Sequence, residues 1–268
     1  MKQDRTYRTV PGMASMKASR QPIAMLTAYD ASFARLIDEA DVDCVLVGDS
    51  LGNVIQGRDS TLPVTVEHMI YHVKAVRRGL THPLLIGDLP FMSYHDRASA
   101  MASAAAIMRA GAGMVKLEGG SAVVPLVADL VAQGIPVCGH LGLTPQHVHR
   151  LGGYRVQGRD EALARTLQED ARALQAAGAG MLVLECVPSS LAAAVAENLR
   201  IPVIGIGAGV DVDGQVLVLY DILGISPGHR PRFVRNFMVG ADSIPEALAA
   251  FVADVRERRF PDDEHSYA

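Results

Sequence analysis

Cysteine is scarce, and basic side chains are not in the majority. The three cysteines, Cys44, Cys138 and Cys186, form an odd set without a Cys-x-x-Cys pair, and each lies in an apolar stretch of the kind that forms a buried strand. That usage argues against disulfides and a thiolate zinc site and favours a reducing cytoplasm. The 25 Lys and Arg are outnumbered by 29 Asp and Glu, a net charge of −4. The chain therefore lacks the basic field that drives nonspecific nucleic-acid binding, and no nucleic-acid partner is expected. Long hydrophobic runs are missing as well, because charges and glycines interrupt each one well short of the roughly 20 residues that a membrane-spanning helix needs. The first twenty residues carry Lys2, Arg5, Arg8, Lys17 and Arg20 against Asp4, with no apolar core of a signal peptide behind them. They read as an N-terminal arm, to about residue 21.

What is present is a chain of 268 residues, 49% apolar and 20% charged, with material for one large core or two small domains. Short apolar runs alternate with longer helical patterns, the rhythm of repeated βα units. Strands are expected over 23–28, 44–48, 84–87, 114–117, 135–139, 181–184, 203–206 and 216–220. Helical periodicity covers 32–40, 66–78, 97–110, 122–132, 161–177, 191–199 and 244–256, with Gly79, Gly111, Gly134 and Gly178 as stops. Too few residues separate the last two strands for a helix, and the acidic end at 261–264 looks frayed.

An internal repeat strengthens the reading. Gly111-Ala-Gly-Met-Val-Lys-Leu-Glu118 recurs as Gly178-Ala-Gly-Met-Leu-Val-Leu-Glu185, and Ile135-Pro-Val-Cys-Gly-His140 recurs as Ile201-Pro-Val-Ile-Gly-Ile206. Such a repeat in an α/β chain of this length suits a single closed (βα)8 TIM barrel over 1–268, with a C-terminal helix and tail from about 241. A doubly wound open sheet is the alternative.

Barrel enzymes assemble their sites at the C-terminal ends of the strands. The apolar runs stop at or beside Asp30, Asp49 and Ser50, Asp88, Lys116 with Glu118, His140, Glu185, Gly207 and Asp221. Carboxylates converging on one mouth repel each other unless a cation neutralises them. With Asp49, Asp88 and Glu118 as oxygen donors and no paired His or Cys set, the cation would be hard, such as Mg²⁺. The competing reading makes each Asp a helix or loop cap. Through the repeat, Lys116 corresponds to Val183 and His140 to Ile206, so the scaffold does not require the polar residues. Lys116 and Glu118 share one strand face, and an inward ammonium needs a negative partner. Its use would be to hold a substrate carboxylate or a developing enolate oxygen. Glu185 closes an apolar run, a setting that suits a general base.

Other features carry less. Cys138-Gly-His140 lacks the lysine pair of lyase loops, Gly205-Ile-Gly-Ala-Gly209 has the wrong spacing for a dinucleotide loop, and His68, His72, His147 and His149 read as solvated or capping histidines. The connections 50–63 and 142–159 are longer than closure requires, and Gly152-Gly-Tyr-Arg-Val-Gln-Gly158 has the glycines and the Tyr154–Arg155 pair of a lid.

Several long motifs occur in order: Met25-Leu-Thr-Ala-Tyr-Asp30, Val45-Leu-Val-Gly-Asp-Ser-Leu-Gly52, Asp59-Ser-Thr-Leu-Pro-Val64, Asp88-Leu-Pro-Phe-Met92, Val115-Lys-Leu-Glu-Gly-Gly120, Val137-Cys-Gly-His-Leu-Gly-Leu-Thr-Pro-Gln146, Gly152-Gly-Tyr154, Leu184-Glu-Cys-Val-Pro188 and Ile204-Gly-Ile-Gly-Ala-Gly209. Together, from about residue 22 to 240, they resemble the ketopantoate (3-methyl-2-oxobutanoate) hydroxymethyltransferases. Gly87 departs from the alanine expected before Asp88. The resemblance implies a barrel of the phosphoenolpyruvate/pyruvate superfamily and one Mg²⁺ per subunit. It also implies 5,10-methylenetetrahydrofolate as cosubstrate, 3-methyl-2-oxobutanoate as acceptor, the first step of pantothenate synthesis, and a homodecamer in the cytoplasm. Carried over, Asp49, Asp88 and Glu118 resemble the metal group, with Asp49 and Asp88 also bordering substrate. Ser50, Lys116 and His140 resemble substrate binders and Glu185 the proton acceptor. Rival readings are another Mg²⁺-dependent keto-acid enzyme of the same superfamily and a noncatalytic barrel.

Overall fold

In the computed structural model, which describes residues 6–226 and 230–268, eight parallel strands close on themselves in sequence order. They are β1 (Ile23–Thr27), β2 (Cys44–Val47), β3 (Leu84–Asp88), β4 (Met114–Glu118), β5 (Val137–Gly142), β6 (Met181–Glu185), β7 (Val203–Ile206) and β8 (Gly214–Leu217). Nearly every strand residue is buried, as expected where the barrel interior covers one face and helices the other. Lys2, Asp4 and Arg5 of the expected arm lie outside the described residues.

The helices form where the sequence provides both an amphipathic stripe and a cap. Val66–Gly79 buries Met69, Val73 and Val76 and starts with a reciprocal cap between Thr65 and His68. Arg97–Ala110 begins on Asp96 and ends on Gly111 at φ +119°. The expected helix at 122–132 is split into a 3₁₀ turn, Ser121–Val123, and an α-helix, Val124–Ala132, because Pro125 suits only a first helical turn. No helix lies between β7 and β8 among the described residues.

Two strand boundaries differ from expectation for reasons of pairing. β5 starts later and runs through His140 to Gly142, because Glu118 pairs with His140 and Gly142 with Glu185. β8 spans Gly214–Leu217 rather than 216–220: its register against Ile23–Leu26 starts at Gly214, where a Cβ would meet the Ile23 carbonyl at 2.2 Å. After Val218 the chain turns into a short helix, Leu219–Ile222, whose first amide donates to Thr27 Oγ1 at 3.0 Å.

The described part of the N-terminal arm and the C-terminal tail are both tied to the barrel. The N-terminal arm holds a helix, Val10–Ala18, with Thr9 as cap. Its Met13 is fully buried, with Sδ 3.2 Å from the Cys44 thiol of β2. Lys17 Nζ ties the helix to Asp213 Oδ2 at 2.5 Å and to the Ala196 carbonyl at 2.8 Å. Instead of fraying, the C-terminal tail is tied down by Arg232, which donates to the Glu264 and Asp263 carbonyls, and by Ser189, which donates to the Tyr267 carbonyl.

Gly87 has a packing reason. An added Cβ would lie 2.5 Å from Cγ2 of the fully buried Ile107. We expect Gly87→Ala to cost about 1–3 kcal/mol in urea unfolding. In a double-mutant cycle with Ile107→Ala the cost should shrink, and simple additivity would show that the close approach is not its cause.

Candidate active site

The strand register sets the site. Asp88 ends β3 directly beside Lys116 of β4, and their charged groups meet at 2.6 Å with both side chains almost fully buried. Glu118, two residues along the same strand, pairs with His140 of β5, and Glu118 Oε1 lies 3.4 Å from His140 Nδ1. The other ring nitrogen of His140 is 3.2 Å from Glu185 Oε2 at the end of β6. Asp49 follows β2, and its amide donates to Asp88 Oδ2 at 3.0 Å. Ser50 Oγ is 2.8 Å from the Tyr29 hydroxyl. All seven side chains expected at the site, Asp49, Ser50, Asp88, Lys116, Glu118, His140 and Glu185, line one cavity of about 940 Å³ at the C-terminal end of the barrel.

The electrostatics follow from burial and proximity. Burial, then the neighbouring Asp88 and Glu118 charges, push the Asp49 carboxyl up to about 8. Burial also raises Asp88, although Lys116 opposes it. For Lys116, burial disfavours the ammonium, but Asp88, Glu118 and Asp49 outweigh it and raise its pKa. Burial and Lys116 press the His140 imidazole down, while bonding to Glu118 and Glu185 lifts it to about 9. Lys116 Nζ also approaches His140 Nδ1 to 3.3 Å, so the two basic groups stand side by side among the carboxylates. Glu118 is desolvated too, but His140, Lys116 and the Gln146 amide together outweigh burial and lower it.

A residue that sequence reasoning leaves without a role connects these groups. Gln146, 3% exposed, donates through Nε2 to Asp49 Oδ2 at 2.9 Å and to the Leu89 carbonyl at 3.0 Å. Its own amide donates to Glu118 Oε2 at 3.0 Å, and the Tyr94 hydroxyl donates to its Oε1 at 2.6 Å. It is a neutral clamp between two carboxylates, supplied by the long connection after β5. That connection also gives the cavity Tyr154 and Arg155, and the one after β2 gives it Arg58, Asp59 and Thr61. The C-terminal Tyr267 lines it as well, which a reading of strand ends cannot find. Cys138 is a buried core residue, His68 caps a helix, and His72 bonds the Tyr29 carbonyl at 2.6 Å.

The donor set fits a hard cation. The carboxylates of Asp49, Asp88, Glu118 and Glu185 outnumber the Lys116 and His140 cations, and the buried Glu118 Oε1 has no hydrogen-bond partner among the described residues. No three Asp, Glu, His or Cys side chains among the described residues converge to hold an ion by themselves. The oxygens of Asp49, Asp88 and Glu118 are donors of the hard kind that such a cation prefers.

The ketopantoate hydroxymethyltransferase family model matches residues 7–263. The 3-methyl-2-oxobutanoate hydroxymethyltransferase of Aromatoleum aromaticum is 57% identical, with 95% of each chain covered. That of Nitrosococcus oceani is 56% identical over 97% of this chain and 98% of its own. The chain belongs to the ketopantoate hydroxymethyltransferase family. It is an enzyme of the transferase class. Among solved structures, a phosphonopyruvate hydrolase complex with oxalate and Mg²⁺ superposes with a TM-score of 0.62 at 12% identity, covering 94% of this chain and 97% of that one. A 2,3-dimethylmalate lyase of the PEP mutase/isocitrate lyase superfamily gives 0.57 at 16% identity, covering 78% and 80%. At such identities the likeness shows the fold alone.

Gln146→Leu should leave Asp49 Oδ2, the Leu89 carbonyl and the Tyr94 hydroxyl short of a partner and cost about 1–3 kcal/mol in chemical denaturation. A loss below about 0.5 kcal/mol, the range of an ordinary surface change, would remove Gln146 as the clamp.

Proposed function

We propose that this enzyme transfers a hydroxymethyl group from 5,10-methylenetetrahydrofolate to 3-methyl-2-oxobutanoate, giving 2-dehydropantoate, the first step of pantothenate synthesis. The observation that carries the reading is a buried Lys116–Asp88 pair in the same cavity as the carboxylate of Glu185, in a chain of this family. Asp49, Asp88 and Glu118 would hold one Mg²⁺ per subunit, which when bound supplies Lewis acidity toward the keto acid.

The remaining roles belong to the chain. Lys116, kept charged by its carboxylate neighbours, offers positive charge to the oxygens of the keto acid as they gain negative charge. Ser50, set by Tyr29, is placed to donate to the substrate carboxylate. His140 contributes a second cation and holds Glu185, whose side chain stays 14% exposed toward the cavity. Glu185 takes the C3 proton, and the electron pair left on C3 forms the new carbon–carbon bond. That carbon becomes quaternary, so a folate adduct on it has no C3 proton with which to eliminate. The one-carbon unit is therefore released first, by hydration of an opened folate iminium to formaldehyde, and captured by the enolate in an aldol-type step. The decameric assembly and cytoplasmic location implied by the family resemblance are part of this proposal.

The deciding assay follows the keto acid by NMR with methylenetetrahydrofolate and Mg²⁺, against an EDTA control. Metal-dependent 2-dehydropantoate is the expected result. Exchange of the C3 proton into deuterated water without product would point to another electrophile, and neither signal to a different substrate. Glu185→Gln should lower turnover about 100-fold or more with keto-acid affinity nearly unchanged, and near-normal turnover would exclude it as the base. Asp49→Asn should raise the Mg²⁺ concentration needed for half-maximal activity and weaken Mn²⁺ binding measured by EPR. Unaltered metal dependence would take Asp49 out of the ligand set.

A further inference from the structure

The C-terminal tail reaches the turn that carries Glu185. Cys186, the next residue, is 5% exposed, lines the cavity and has φ +48°, a left-handed conformation uncommon outside glycine. Ser189 opens the helix Ser189–Asn198 three residues later, and both its amide and its hydroxyl donate to the Tyr267 carbonyl at 2.9 Å. The Tyr267 side chain bonds the Cys186 thiol, and its ring lines the cavity under the Arg232 guanidinium, 6.0 Å from the ring centroid. From the connection after β5, the Gln157 amide donates to the Cys186 carbonyl at 2.8 Å.

The fold is shaped to receive this tail. Gly209 has φ +77°, and an added Cβ there would lie 2.5 Å from Cβ and Oγ of Ser189, the residue that holds the Tyr267 carbonyl. At Gly207, φ +62°, a Cβ would meet the Phe233 ring at 2.9 Å. The glycine run after β7, which has the wrong spacing for a dinucleotide, therefore makes room for the residues around the tail. Upstream, Phe260 is 2% exposed and packs edge-on against Phe237 and Phe251. Asp262 then accepts from the Glu264 and His265 amides, and the Ser266 hydroxyl donates to the Asp262 carbonyl. The tail is thus fixed from the core to its penultimate residue.

A wall at this point has a chemical use. Once the Glu185 carboxylate has taken the C3 proton, water that reaches it exchanges that proton for one of its own. Return of the exchanged proton to C3 regenerates the keto acid without product. We propose that the C-terminal tail is a wall of the active site in which Tyr267 is a positioning residue, its ring keeping solvent from Glu185 while the enolate awaits its electrophile. Burial first, then Cys186, push the Tyr267 hydroxyl up to about 12, so the wall adds no charge beside the Glu185 carboxylate. The inference rests on Glu185 as the base in the reading above.

The test runs the full reaction, with 3-methyl-2-oxobutanoate, methylenetetrahydrofolate and Mg²⁺, in deuterated water. NMR reads deuterium at C3 of the remaining keto acid and the 2-dehydropantoate formed. Tyr267→Ala should raise the ratio of exchange to product about tenfold, and Tyr267→Phe, which keeps the ring, should recover most of the wild-type ratio. Exchange and product that fall together in Tyr267→Ala at an unchanged ratio overturn the assignment, as does a Tyr267→Phe ratio no better than that of Tyr267→Ala. Neither exchange nor product from wild type overturns the reading of the reaction and this role with it. The chain has no tryptophan, so Tyr267→Trp places a single indole at the wall, and this readout decides if Tyr267→Ala does not fold. Its emission should lie to the blue of free indole in water, and keto acid with Mg²⁺ should reduce its quenching by acrylamide. Water-like emission that ignores the keto acid overturns the assignment.

Discussion

Lys116 is the constraint around which the upper end of the barrel is arranged. An ammonium with its side chain 4% exposed is stable only if opposite charge stands at contact distance, and Asp88 supplies it because β3 and β4 pair those two residues side by side. The partner is buried as well, so further polar groups follow. Asp88 Oδ2 is satisfied by the Asp49 amide, Asp49 by Gln146, and Gln146 by Tyr94. Removing any member leaves a desolvated group without its partner, which is how a barrel fixes several side chains with few covalent constraints.

The scaffold does not need this arrangement. At the repeated positions Val183 and Ile206 occupy the places of Lys116 and His140, and they are buried in the same barrel. Polar density is greatest at the end where strands become loops. The opposite end packs Met13 against Cys44, holds one buried carboxylate, Asp43, against the Ala24 amide and Arg8, and is anchored through Lys17. Stability and chemistry therefore draw on different layers of one interior.

Much of this was legible in the sequence, for a physical reason. In a parallel barrel the strand end is both where an apolar run stops and where the mouth lies, so Asp49, Asp88, Glu118 and Glu185 could be found from patterning alone. The eight strands and the seven longer helices from Ala31 onward followed from the same alternation. Gln146, Tyr94 and Tyr267 could not be found that way, because their roles arise from loop and tail contacts that have no period. The N-terminal helix escaped because its nine residues, Val10–Ala18, include Pro11 and Gly12 and show no amphipathic stripe. The β5 and β8 boundaries moved because pairing partners, not local propensity, decide where a strand stops.

The charge distribution around the mouth is uneven. Lys116 and His140 stand on the adjacent strands β4 and β5, among carboxylates at the ends of β2 to β6, whereas the turn after β8 offers the carboxyl of Asp221. The buried ammonium of Lys116 therefore gives the side of β4 and β5 its own affinity for an anion. The long connections after β2 and β5 and the C-terminal tail border the space between, from parts of the chain distant in sequence. A barrel brings such segments to one rim at no cost to its core. The strands set the reacting groups, and the loops adjust how much water reaches them.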